Sequence, residues 1–227
     1  MDYLEENTNA VSLLSKNTQS NFILKVYSLL SIQLIITWVM SFTFYMNTTI
    51  SQYVLHNTSL IIINTIGSFI FLFLSFCYGN IYPYNYIILF GFTLCESYTI
   101  SIVCLFYQPM SILFAWGVTA SIFVFLTLYV LITKQNFDFL KAGLASCLWI
   151  LIIGGIFQIF WFPQQPLINT FFAIFGAMVA CGYILYDTSV IIRKLSPNDF
   201  VYACMSLYLD IIMLFLRILE LFGKEKD

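Results

Sequence analysis

Residues 26–45 read VYSLLSIQLIITWVMSFTFY, twenty positions without a charged side chain. About 20 apolar residues in a helix cross the hydrocarbon core of a bilayer. The stretch is not isolated. No Lys, Arg, Asp or Glu occurs between Lys25 and Glu96, and none between Lys141 and Asp187. Six further stretches meet the same length, at about 60–78, 86–106, 110–132, 143–162, 167–192 and 200–222. The spacing predicts an all-α, polytopic membrane protein, a compact bundle of seven transmembrane helices. A cytoplasmic, mobile tail is expected over 1–25 and a single transmembrane domain over 26–227.

Composition agrees. Of 227 residues, 61% are hydrophobic and 9% charged, which no soluble globular domain carries. A net charge of -2 gives no footprint for nucleic acid. The bilayer is therefore the first expected partner. All six cysteines fall within hydrophobic stretches with no C-x-x-C spacing, and read as small packing residues. The first apolar run is too long for the core of a cleaved leader and is expected to act as an uncleaved anchor.

Basic residues set the expected orientation. Lys16 and Lys25 precede span one, Lys134 and Lys141 lie between spans four and five, and Arg193 and Lys194 between six and seven. The opposite loops at 46–59, 107–109 and 163–166 hold no Lys or Arg, so the N-terminus is expected in the cytoplasm. Asn47-Thr48-Thr49 and Asn57-Thr58-Ser59 are formal glycosylation acceptors on the other side. Lone His56 falls in that same loop. Lys224 and Lys226 conflict with this scheme, because seven full spans carry them to the wrong face. Either the charge rule yields there, or the last segment is re-entrant and returns.

The chemistry concentrates in the last two spans. Asp187 lies in GYILYDTSVII and Asp210 in LYLDIIMLFL. An ionised acid at the centre of a spanning helix costs roughly 2.5–3.5 kcal/mol on insertion scales. Asp187 is roughly 8 Å and Asp210 roughly 15 Å from the expected cytoplasmic ends of their helices. Tilt and side-chain reach close such a gap between neighbouring helices about 8–10 Å apart. Two acids that meet in apolar surroundings cannot both ionise cheaply and share a proton. Ionised, they repel or hold a hard cation such as calcium. The alternative is that each aspartate caps or hydrogen-bonds by itself.

Glu96 in GFTLCESYTI is a third intramembrane acid, suited to the same ion path or to a protonated packing role. Asp199 after Pro197 suits the N-terminus of span seven, where the helix dipole favours an acid. Arg217 is placed to offset Asp210, or to pair with Glu220 three residues on, the easier geometry. In span six, Ala173-x-x-x-Ala177 and Gly176-x-x-x-Ala180 permit close helix approach. Tyr186-Asp187 alone matches the first motif of presenilin-type proteases. Their Gly-x-Gly-Asp is absent before Asp210, and no Gly-x-Ser-x-Gly or H-E-x-x-H occurs, so no enzyme activity is expected.

Several motifs, in order, resemble one family. Lys25-Val26-Tyr27 with Gln33-Leu34 and Thr37, Gly91-Phe92-Thr93-Leu94 with Glu96-Ser97, Lys134-Gln135-Asn136-Phe137-Asp138-Phe139, and Leu148-Trp149-Ile150-Leu151 are similar to its first, third and fifth spans. Tyr186-Asp187-Thr188, Leu195-Ser196-Pro197 and Leu207-Tyr208-Leu209-Asp210-Ile211-Ile212 carry the likeness furthest. The chain resembles the transmembrane Bax-inhibitor-motif family, in particular its lifeguard branch of Golgi anti-apoptotic proteins. That resemblance implies a multi-pass protein of Golgi or endoplasmic reticulum membranes. It implies a pH-sensitive calcium leak that lowers store calcium and inhibits apoptosis, with Asp187 and Asp210 as the paired aspartates. Calcium would be the transported ion rather than a resident cofactor.

Two rival readings follow: a non-conducting regulator that binds Bcl-2-type proteins or calcium-release channels, and a proton-coupled cation exchanger. The chain also departs from the family pattern. Span two lacks the arginine that often pairs with the aspartates, and Leu24, Asn198 and Met213 stand where the family has polar or charged residues. The basic turn after span two is replaced by Tyr78-Gly79-Asn80-Ile81-Tyr82.

Overall fold

The computed structural model describes residues 16–161, 165–224 and 226. Eight α-helices cover most of them: α1 (Lys16–Met46), α2 (Thr48–His56), α3 (Thr58–Tyr78), α4 (Tyr84–Leu105), α5 (Pro109–Thr133), α6 (Leu140–Trp161), α7 (Pro166–Arg193) and α8 (Phe200–Phe222). All but α2 contain a segment long and apolar enough to cross a membrane, which gives seven. The expected tail boundary shifts. Helix α1 already begins at Lys16, and residues 1–15 lie outside the described residues. Pro163 and Gln164 of the expected loop at 163–166 also lie outside them.

Residues 46–59 are not the plain loop expected. Asn47 caps a nine-residue helix there: its Oδ1 accepts from Thr49 N at 3.2 Å and from Ile50 N at 3.3 Å. This satisfies backbone donors that a helix start leaves orphaned. His56 is the exposed last residue of that helix.

The chain divides into two compact units. The first holds the described residues of Met1–Gln108, Lys194–Tyr208 and Glu225–Asp227; the second holds Pro109–Arg193 and Leu209–Lys224. Helix α8 thus starts in one and finishes in the other.

In the first unit, α1 and α4 run side by side and are tied by buried polar rungs. Gln33 Nε2 donates to Thr93 Oγ1 at 2.9 Å, Thr37 Oγ1 meets Ser97 Oγ at 2.9 Å, and Ser41 Oγ meets Ser101 Oγ at 3.1 Å. Each rung joins residues 60 apart, so the two helices are parallel and in fixed register. The start of α8 joins this seam through Tyr208 Oη, 2.8 Å from Thr37 Oγ1. In a bilayer such groups find no water, and partner each other instead. Lys25 Nζ sits 3.3 Å from the centre of the Phe200 ring, a cation–π contact at the mouth of the same seam.

The last stretch does not dip and return. Helix α8 is continuous over 23 residues. Beyond it, Lys226 N donates to Phe106 O at 2.9 Å, and its ammonium lies 3.9 Å from the centre of the Tyr45 ring. Both contacts lie where α1 and α4 end, opposite the end where α1 begins. In the second unit, Lys224 N donates to Ser111 Oγ at 2.9 Å, at the start of α5. The Lys226 ammonium thus rests over an aromatic face at the end of the first unit away from Lys25.

In the second unit, α7 packs against both α5 and α6. Leu144, Leu151 and Val179 form a core that Phe172, Phe175, Tyr183, Tyr186 and Met213 extend. Trp116 stacks on Phe215 with ring centres 4.2 Å apart.

Candidate functional site

Asp187 lies in the last third of α7 and Asp210 near the middle of α8, and both belong to the second unit. Each is only 8% exposed. Their carboxyl groups lie within hydrogen-bonding reach of one another. The contact that sequence reasoning left open is therefore made. Asp210 Oδ2 has no hydrogen-bond partner, and neither does the fully buried Thr188 Oγ1. Among the described residues no third His, Cys, Asp or Glu joins the pair. A cation held there would take its remaining oxygens from water, hydroxyls or backbone carbonyls.

The local sequence explains the approach. Ala173, Gly176 and Ala180 are buried on α7. Gly176 faces Arg217 of α8 so closely that an added Cβ would lie 2.6 Å from Nε. The small residue at 176 leaves the space that the Arg217 stem fills.

Tyr183, which sequence reasoning missed, lies within electrostatic range of both aspartates. It precedes Asp187 by one helical turn, so its spacing was a usable signal. Tyr186 and Met213 border the same cluster of apolar side chains.

The other candidates occupy different places. Arg217 Nη1 pairs with Glu220 Oε2 at 2.8 Å, the easier of its two expected partnerships. Glu96 belongs to the first unit, where the Ser68 hydroxyl faces its carboxyl. Asp199, also of the first unit, works as a cap. Its Oδ2 accepts from Ser196 N at 3.0 Å and its Oδ1 from Asn80 Nδ2 at 3.4 Å. Among the described residues the six cysteines are all free thiols.

Comparison with known proteins fits this arrangement. Residues 19–227 match the family model described as inhibitor of apoptosis-promoting Bax1. The chain belongs to the Bax inhibitor family. This Bax inhibitor family member is 35% identical over 212 residues to protein lifeguard 4 of Mus musculus, covering 93% of this chain and 88% of that one. It is 37% identical over 213 residues to the Golgi anti-apoptotic protein of Vaccinia virus (strain Lister), covering 94% and 89%. Bax inhibitor 1 of Schizosaccharomyces pombe is 37% identical over 218 residues, covering 96% and 82%. In the Bax inhibitor family member the matched residues 19–227 include both Asp187 and Asp210.

Proposed function

We propose that this chain is a pH-sensitive calcium leak of intracellular membranes that inhibits apoptosis by lowering store calcium. The contact between the Asp187 and Asp210 carboxyls carries the reading. Two acids in contact within apolar surroundings hold a proton between them at modest pH. A second proton on the pair removes its charge and draws α7 and α8 together. Loss of protons leaves like charges that repel or take up a hard cation through oxygen ligands. Glu96 and Asp199 are secondary acids of the same reading. The printed name of the viral relative supports a Golgi membrane. The basic residues beside α1, α5 and α7 support a cytoplasmic N-terminus.

The deciding experiment is calcium flux from liposomes holding the full chain, measured across pH. Wild-type flux should exceed that of empty vesicles and change with pH, and Asp210→Asn should abolish or deregulate it. Flux equal to empty vesicles rejects the leak.

One observation favours a second reading. The family description names Bax1, an apoptosis-promoting protein, as what its members inhibit. A non-conducting regulator that works by binding partners would protect cells even with both aspartates neutralised. Obligatory counter-transport of protons would instead identify an exchanger.

A further inference from the structure

Helix α7 of the second unit is held differently on either side of Asp187. Before Asp187 it rests on α6. Gln158 Nε2 donates to Asn169 Oδ1, the Phe172 ring lies against Gly154, and Leu144 Cδ2 fills the space that Gly182 leaves. Beyond Asp187 it ties to the loop 134–139 between α5 and α6. Ser189 Oγ donates to Gln135 O at 3.1 Å, and Arg193 Nη1 donates to Lys134 O at 3.3 Å. The loop has a fixed shape of its own. Lys134 takes a φ of 49°, left-handed backbone that turns the chain at the end of α5. Asn136 Oδ1 accepts from Asp138 N at 2.9 Å, and Phe137 is buried while Lys134, Gln135 and Asn136 stay exposed.

Each residue of a helix is turned by about 100° from the one before. Ser189 is two residues past Asp187, so the two side chains leave α7 about 200° apart, on nearly opposite sides. Arg193, four past Ser189, shares its side. Asp187 therefore meets Asp210 of α8 on one side, while Ser189, 3% exposed, meets the loop on the other. A side chain reaches about 5–6 Å from the helix axis. Turning α7 by about 30° would carry the Asp187 carboxyl about 3 Å. That is the whole length of a hydrogen bond between oxygens, about 2.5–3.0 Å. The apolar contacts with α6 are non-directional, whereas the two bonds to the loop carbonyls fix an orientation.

We infer that Ser189 and Arg193 are positioning residues: through the loop carbonyls they fix the rotation of α7 that brings Asp187 to Asp210. The loop between α5 and α6 is thereby a latch on the aspartate pair. The inference deepens the reading given above and rests on that pair as the working site, but not on the passage of calcium.

Two measurements on the full chain in detergent test it. Trypsin cleavage after Lys134 reports release of the loop. The infrared carboxyl band that is lost in both Asp187→Asn and Asp210→Asn reports the hydrogen-bonded pair. In Ser189→Ala with Arg193→Gln, two hydrogen bonds are gone, and cleavage after Lys134 should rise roughly tenfold. The band of the pair should move to the frequency of unpaired carboxyls. Gln158→Leu loosens α7 before Asp187, and should lower the melting temperature without moving that band. A band unmoved once the loop is free, cleavage unchanged in the double variant, or an equal band shift in Gln158→Leu overturns the inference. Should the double variant not fold, Arg193→Gln, at the more exposed of the two contacts, decides by the same readouts. A wild type without the band rejects the aspartate contact and this inference together. A failed leak with the band behaving as expected leaves the inference standing.

Discussion

An added Cβ on Gly176 would stand 2.6 Å from Arg217 Nε and 2.9 Å from its Cδ, so the arginine stem lies directly across the face of α7. The residue at 176 therefore decides where Arg217 goes. Replacing Gly by Ala within a helix gains about 1 kcal/mol of propensity. Overpacking costs about 1–3 kcal/mol, though a flexible arginine stem gives way towards the low end. Losing the partly exposed Glu220 pair adds about 0–1 kcal/mol. Gly176→Ala alone should come out near neutral or mildly destabilising. In an Arg217→Ala background it should stabilise by about 1 kcal/mol. Thermal unfolding of the four proteins of this cycle in detergent checks it; equal effects in both backgrounds would contradict the contact.

The aspartate contact predicts a sign for pH. Acid adds the second proton and removes the remaining charge of the hydrogen-bonded pair, so the leak should fall as pH falls. Raising pH should increase it. Asp187→Asn and Asp210→Asn each leave one titrating acid, so both variants should flatten the pH profile. Stopped-flow calcium release from liposomes at stepped pH reads this directly. A profile unchanged in both variants would separate the pH response from this pair.

The polar seam of the first unit should lose stability unevenly. Thr37→Val removes two interhelical bonds, to Ser97 and to Tyr208, and leaves the buried Tyr208 phenol with Ser97 as its remaining hydroxyl neighbour. At about 0.6 kcal/mol on average and up to ~1.7 kcal/mol each, the loss should be about 1–3 kcal/mol. Ser41→Ala removes one longer bond and should cost less. Gln33→Leu should be close to neutral. It gives up one bond, but also deletes the Gln33 Oε1 that is buried without a partner. A melting series that ranks Gln33→Leu worst would overturn this order.

Asp199→Ala removes the reciprocal cap between Ser196 and Asp199 on the 3-10 turn Pro197–Asp199 that leads into α8, and should cost about 1 kcal/mol. Asp199→Ser, which keeps an oxygen at short reach, should recover part of it. Calcium flux per folded protein separates capping from conduction. A fall in flux at unchanged stability would place Asp199 in the ion path.

Charge spacing alone determined that this chain is helical and holds seven stretches long and apolar enough to cross a membrane, and left open whether the last one returns. The uncharged runs leave backbone groups no partner but their own helix. Period and length in a bilayer are fixed locally, so Asp187, Asp210 and Glu96 could be marked as costly groups before any fold was known. Family membership was legible too, because motifs such as Tyr186-Asp187-Thr188 keep their order and spacing. Contacts between distant segments were not legible. Whether Asp187 meets Asp210 depends on the rotation and offset of two helices, which no local pattern fixes. Arg217 had two feasible acids within reach, and packing chose Glu220. The loop expected at 46–59 became a helix through one side-chain cap at Asn47. Lys226 went to the Tyr45 ring, a partner no local pattern names. In each case the sequence held the groups, and their three-dimensional neighbours decided the partner.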